Sequence, residues 1–118
     1  MATDRYRQIV DRFDAAARAK LGQNIGVAAL CRIVAVEGRT LLRAFRVVHA
    51  TTPSRHLRAL RLGRAREVLL ADGDGTTVTQ VAMRFGFREL SRCALDSRAT
   101  FGEAPSETLR RAARARAD

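Results

Sequence analysis

Lysine is nearly missing from this chain. Lys20 is the only one, so a formal net charge of +10 and a sequence pI of about 11.5 rest almost wholly on arginine. Arginine keeps its charge, forks onto phosphate and can pair with a guanine edge. Such a balance favours nucleic acid or an anionic membrane surface as partner. Coding rich in Arg and Ala would raise the same total without any function, so the placement of the arginines has to separate the two readings. Long apolar runs are missing too. No stretch approaches the ~20 residues that span a bilayer, which excludes a membrane-spanning helix. The opening Met1-Ala2-Thr3-Asp4-Arg5 lacks the basic-then-apolar pattern of a signal peptide, so the expected location is the cytoplasm. Cysteine is scarce. Cys31 and Cys93 each sit inside an apolar helical pattern and read as small core residues, not as a disulfide or a metal pair. No spaced ligand cluster exists, so no metal and no cofactor are expected. Sustained period-two alternation is also lacking, which argues against strands.

What the chain does have is helix after helix. Its 118 residues suit one domain or two small joined ones, and 47% hydrophobic content suffices for a core. A first helix is expected from about Asp4 to Lys20, capped by Thr3, with Tyr6, Ile9, Val10, Phe13 and Ala17 as its apolar stripe. A break at Leu21 to Asn24 precedes a short helix from Val27 to Val34. A third runs from Gly38 to His49, with Leu41, Ala44, Phe45 and Val48 inward. Thr52-Pro53 opens a longer helix to about Ala71, Thr52 as cap and Pro53 at the first helical position. Arg61 falls within its apolar side and is expected to be paired or to snorkel. Asp72-Gly73-Asp74-Gly75-Thr76 reads as a turn; a calcium loop would need an acid where Met83 stands. Thr77-Val78-Thr79-Gln80 has capping-box spacing and opens a short helix to Arg84. Gly86-Phe87 turns, and a helix follows from about Glu89 to Thr100. Gly102 ends it. Pro105 starts a last helix that fades into the basic tail Arg110 to Arg116.

Internal similarity is the most informative signal. Val27 to Val36 and Val78 to Phe87 share one pattern: an apolar start, an apolar-small pair, a basic residue, then a tight turn made by a small residue before an apolar one. An amphipathic helix follows each. This is the grammar of the helix-turn-helix, whose second helix can enter a major groove. Arg39, Arg43 and Arg46, four and three apart, share one helix face opposite Leu41, Phe45 and Val48, with Thr40 to one side. In the second copy Ser91, Arg92, Leu95 and Arg98 point away from Leu90 and Cys93. A solvated arginine-rich face would look the same.

Leu41 to Phe45, Thr52-Pro53, Arg61 to Arg66, Val78 to Phe87 and Phe101 to Arg110 carry a resemblance, over residues 24 to 111, to the DNA-binding region of the AraC/XylS family of bacterial regulators. The resemblance implies an all-α, seven-helix, double helix-turn-helix fold of homeodomain-like units with a long central linker helix. The implied organisation is residues 1–52 as first unit, 53–71 as linker helix and 72–118 as second unit. It implies base-reading positions at Arg39, Thr40, Leu42 and Arg43, and at Leu90, Ser91, Arg92 and Leu95. Phosphate contacts are expected from Arg46, Thr79, Arg88, Arg98, Arg110 and Arg111. The chain departs from the family at several positions. Glu37 stands where Ser or a similar cap is usual, and Ala35 and Ala50 where glycine is usual. Cys93 and Ser97 replace aromatic core residues, so the second unit is expected to be looser.

The expected function is sequence-specific binding of double-stranded DNA for transcriptional control, both recognition helices addressing successive major-groove faces of one site. RNA polymerase is the further partner if the chain activates. It is expected to act as a monomer on DNA unless another domain dimerises it, and to bind no membrane. The alternative is a regulatory protein-interaction module whose DNA reading has weakened. An enzyme is not expected: His49 and His56 read as isolated, without a carboxylate at useful spacing. The family usually pairs this region with a ligand-sensing or dimerising domain, so the residues are either a regulator acting alone or the C-terminal part of a longer one.

Overall fold

The computed structural model describes residues 2–23, 25–71, 77–85 and 90–117, with backbone alone for residues 2, 90–93 and 116–117. The described residues form seven α-helices and no strand: α1 Ala2–Ala19, α2 Val27–Val34, α3 Gly38–His49, α4 Pro53–Ala71, α5 Val78–Arg84, α6 Leu90–Phe101 and α7 Pro105–Ala117. A single 3-10 turn, Leu21–Gln23, follows α1. The chain divides into two compact units, Met1–Leu60 and Arg61–Asp118, and the division falls within α4.

The first unit is built around Phe45. Its ring is fully buried and meets Phe13 of α1 edge-on, centroids 5.1 Å apart at 81°. That T-shaped contact is the favoured aromatic geometry and adds to the area buried. Val10, Leu30 and Leu41 close the same core. The α2–α3 turn is held from two sides. Ala35 adopts a left-handed conformation, φ 57, and its N–H returns to the carbonyls of Arg32 and Cys31. Arg12 of α1 donates from Nη2 to the carbonyl of Val34, satisfying a helix-end acceptor that would otherwise lack a partner. Ala50 ends α3 in the same left-handed way, φ 54.

The start of α4 is as read: Oγ1 of Thr52 accepts from the Arg55 N–H at 3.2 Å, and Pro53 is the first helical residue. Thr77 and Gln80 form the reciprocal capping box of α5, at 3.1 and 3.0 Å. The second unit packs Leu62, Ala65, Leu69, Val81, Ala82 and Phe85. Gly102, at φ +79, makes the sharp stop between α6 and α7 that only glycine adopts without strain.

At that stop sits Glu103, which ties three helices together. Its Oε1 accepts from Thr108 at 2.8 Å and Arg111 at 2.8 Å on α7, and from Arg66 at 3.0 Å on α4. Its backbone carbonyl accepts from Ser97 Oγ of α6 at 2.9 Å. Ser97, standing where an aromatic is usual, is therefore buried and satisfied. It lines a small apolar cavity of about 10 Å3, with Leu62, Leu69 and Val81 among its walls. That is at the lower limit for one water.

Several expectations need correction. The first helix starts at Ala2, so Thr3 lies inside it rather than capping it. The last helix does not fade at Arg110 but continues through Ala117. Cys31 is half-buried rather than part of the core, because its side chain lies to one side of Leu30 and Val34. His56 is not isolated: its Nε2 lies 2.6 Å from Asp14 Oδ1, and its ring stacks on His49 at 5.2 Å. Asp14 is 42 residues away in sequence and belongs to α1, so spacing along the chain could not reveal the pair. Arg61 is half-buried and has an interaction partner. The Asp72–Thr76 turn, the Gly86-Phe87 turn and the side chain of Cys93 lie outside the described residues.

Two predictions follow from this packing. A left-handed alanine costs roughly 1–2 kcal/mol against right-handed backbone. Ala35→Gly and Ala50→Gly, which remove that cost but add unfolded-chain freedom, should each leave the first unit more stable by about 0.5–1 kcal/mol in urea titrations. The Thr108 hydrogen bond holds the Glu103 carboxyl below its usual range, burial opposing, with Arg66 and Arg111 adding to the lowering. A lowered folded value stabilises above the ordinary carboxylate range and is lost as pH falls through the folded value. The second unit should therefore weaken in acid, and Glu103→Gln should flatten that acid dependence while lowering stability at neutral pH.

Candidate nucleic-acid interface

The outward side of α3 follows from its inward side. Leu41, Ala44 and Phe45 are buried, so positions 39, 43 and 46 face away, and all three arginines are exposed. Arg39, Thr40 and Arg43 line one cleft of about 240 Å3. Thr40 and Leu42 are half-buried, and Leu42 does not line that cleft. Arg39, Arg43 and Arg46 make no ion pair with any described residue.

The cleft has two further walls that sequence reasoning missed, Arg5 and Tyr6 of α1. Tyr6, expected in the apolar stripe of α1, is half-buried. Arg5, Gln8 and Arg12, at i, i+3 and i+7, form a polar face of α1 that lines an adjoining cleft with Glu37 and Thr40. That spacing was the available signal.

The second unit is different. Leu95 is 64% exposed on α6, an apolar side chain left outward on the helix after the turn. Arg98 is exposed but donates to Glu107 at 3.0 Å, and Arg111 is held by Glu103. Thr79 and Arg110 are exposed, and Arg110 stands outside those pairs. Leu90, Ser91 and Arg92 fall in the first turn of α6, but their side chains, and Arg88 altogether, lie outside the described residues. The structure thus brings Arg39, Thr40 and Arg43 together, while Arg98 of α6 and Arg111 of α7 are each held by an acid.

Two short helix pairs, α2–α3 about the Ala35 turn and α5–α6, define a double helix-turn-helix protein. A protein-family profile described as a helix-turn-helix domain matches residues 30–111. The chain is 40% identical over 105 residues to a probable thc operon regulatory protein of Rhodococcus erythropolis, covering 88% of this chain and 30% of that protein. It is 33% identical over 91 residues to the XylDLEGF operon transcriptional activator of Pseudomonas putida, covering 76% of this chain and 28% of the activator. The chain thus spans under a third of the length of these curated relatives. The crystal structure of a probable AraC family transcriptional regulator from Rhodopseudomonas palustris CGA009 superposes with TM-score 0.79 at 34% identity, over 89% of this chain and 97% of that one. An AraC-type structure from Chromobacterium violaceum shares the fold, TM-score 0.81, at 23% identity over 91% of this chain and 94% of that one. The chain belongs to the AraC/XylS family of helix-turn-helix transcription regulators. These relatives are regulators rather than enzymes, and no described helix is long and apolar enough to cross a membrane.

Proposed function

We propose that the chain binds double-stranded DNA sequence-specifically and regulates transcription from the bound site, with α3 and α6 in successive major-groove faces. The observation that carries this reading is the trio Arg39, Thr40 and Arg43, exposed or half-exposed on the second helix of a helix-turn-helix and uncommitted to any described acid. A guanidinium in that position matches the paired acceptors of a guanine edge. On α6 the exposed Leu95 suits contact with a thymine methyl, beside Leu90, Ser91 and Arg92. Arg46, Thr79, Arg88 and Arg110 serve phosphates and fix register. Arg98 and Arg111 contribute less, because Glu107 and Glu103 cancel much of their field. The chain acts as a monomer on one site unless a further domain dimerises it and, where it activates, meets RNA polymerase. The similarity to an operon regulatory protein and an operon transcriptional activator supports the transcriptional role.

Selection of bound duplexes from a random library should enrich one site with two blocks about one helical turn apart. Arg43→Ala should relax one position of the first block and cost about 1–3 kcal/mol there. A library with no enriched sequence at moderate salt would sink the reading and favour a protein-interaction module instead. If Leu95 packs on a thymine methyl, replacing that thymine by deoxyuridine should cost the wild type about 0.8 kcal/mol. The same replacement should cost Leu95→Ser almost nothing.

A further inference from the structure

The cleft beside the first recognition helix is more basic than base reading requires. Arg5 and Tyr6 come from the N-terminal part of α1, Arg39 and Thr40 from the first turn of α3 and Arg43 from its second. Three guanidiniums line one cleft of about 240 Å3, and no carboxylate lines it. Of the acids nearest in sequence, Asp4 lies outside that lining and Glu37 lines the adjoining cleft with Arg12. Like charges gathered this way repel one another, and an anion between them relieves the repulsion. The end of α3 adds to the same field. Its N-cap, Glu37, makes no side-chain cap bond, and the first helical bond runs from Leu41 N to the Glu37 carbonyl at 2.9 Å. The amides of Gly38, Arg39 and Thr40 therefore have no acceptor within the helix, and they carry the positive end of its dipole. Three guanidiniums and two hydroxyls, those of Tyr6 and Thr40, give the cleft the donor set of an oxyanion site, near the positive end of α3.

We infer that this cleft takes one backbone phosphate of the bound duplex, clamped by Arg5 and Tyr6 of α1 beside the groove that α3 enters. This rests on the DNA-binding reading and extends it to a helix outside the helix-turn-helix. The division of labour follows from position. Arg5 and Tyr6 are not on the recognition helix, so they hold the sugar-phosphate rim and leave Arg39 and Arg43 to the base edges. The clamp sets how deeply and at what angle α3 sits, without reading sequence.

The test is the salt dependence of binding by the 118-residue chain to a fixed duplex of scrambled sequence, followed by fluorescence anisotropy. Each phosphate neutralised contributes about 0.9 to the slope of log affinity against log salt. Arg5→Ala should flatten that slope by about one unit, and Arg5→Lys should restore it. Tyr6→Phe should weaken binding severalfold without changing the slope. Circular dichroism should show the exposed Arg5 variants folded as the wild type is. On a duplex enriched by selection, Arg5→Ala should leave the preferred sequence unaltered. An Arg5→Ala slope equal to wild type overturns the clamp. If inorganic phosphate saturates the cleft at sub-millimolar concentration while the DNA slope ignores Arg5, the site serves a free anion and the clamp is overturned too. Failure to enrich any sequence, with the slope change intact, would overturn specific reading but not the clamp.

Discussion

The burial of Phe45 is the constraint on which the first unit depends. The ring is enclosed by Phe13 on one side and by His56, 4.9 Å away, on another. A side chain fixed from two helices fixes the rotation of the helix that carries it. Once Phe45 points in, Arg39, Arg43 and Arg46 must point out. A stiff core thus converts a packing preference into an aimed set of guanidiniums. The Asp14–His56 contact belongs to the same arrangement, since it ties the start of α4 to α1 beside that ring.

The two units solve the same architectural problem with different chemistry. The first has an aromatic core and spends almost no acids on its outward arginines. The second has a serine where a ring would sit and a carboxylate at its centre. Glu103, only 15% exposed, collects Arg66, Arg111 and Thr108. A buried carboxylate is costly unless its hydrogen bonds are filled, and these donors fill them. The consequence for function is that the second unit holds Arg98 and Arg111 against its own acids. Its outward display on α6 is correspondingly more apolar, with Leu95 in the open.

Much of this was legible in the residues. Caps at Thr52 and Thr77, the glycine stop at Gly102 and the helical stripes depend on near neighbours, and each was visible as spacing. The duplicated turn gave the fold class for the same reason. What was not legible depends on contacts across tens of residues. Asp14 reaching His56 leaves no local trace, and the spacing of Arg5, Gln8 and Arg12 marks a polar face of α1 without showing that it meets Val34, Arg39 and Arg43. The closing stretch Phe101 to Arg110 shows an intermediate case. Its family character was plain, but nothing in its order shows that Glu103 serves as a hub for three helices.

The asymmetry between the units is the central claim, and paired substitutions test it most directly. Affinity for a selected duplex and for a scrambled one would be compared for Arg39→Ala/Arg43→Ala and for Arg98→Ala/Arg111→Ala. The account predicts that the first pair erases most of the preference for the selected duplex. The second pair should lower the stability of the second unit and leave that preference nearly intact. Loss of preference in the second pair with retention in the first would contradict it.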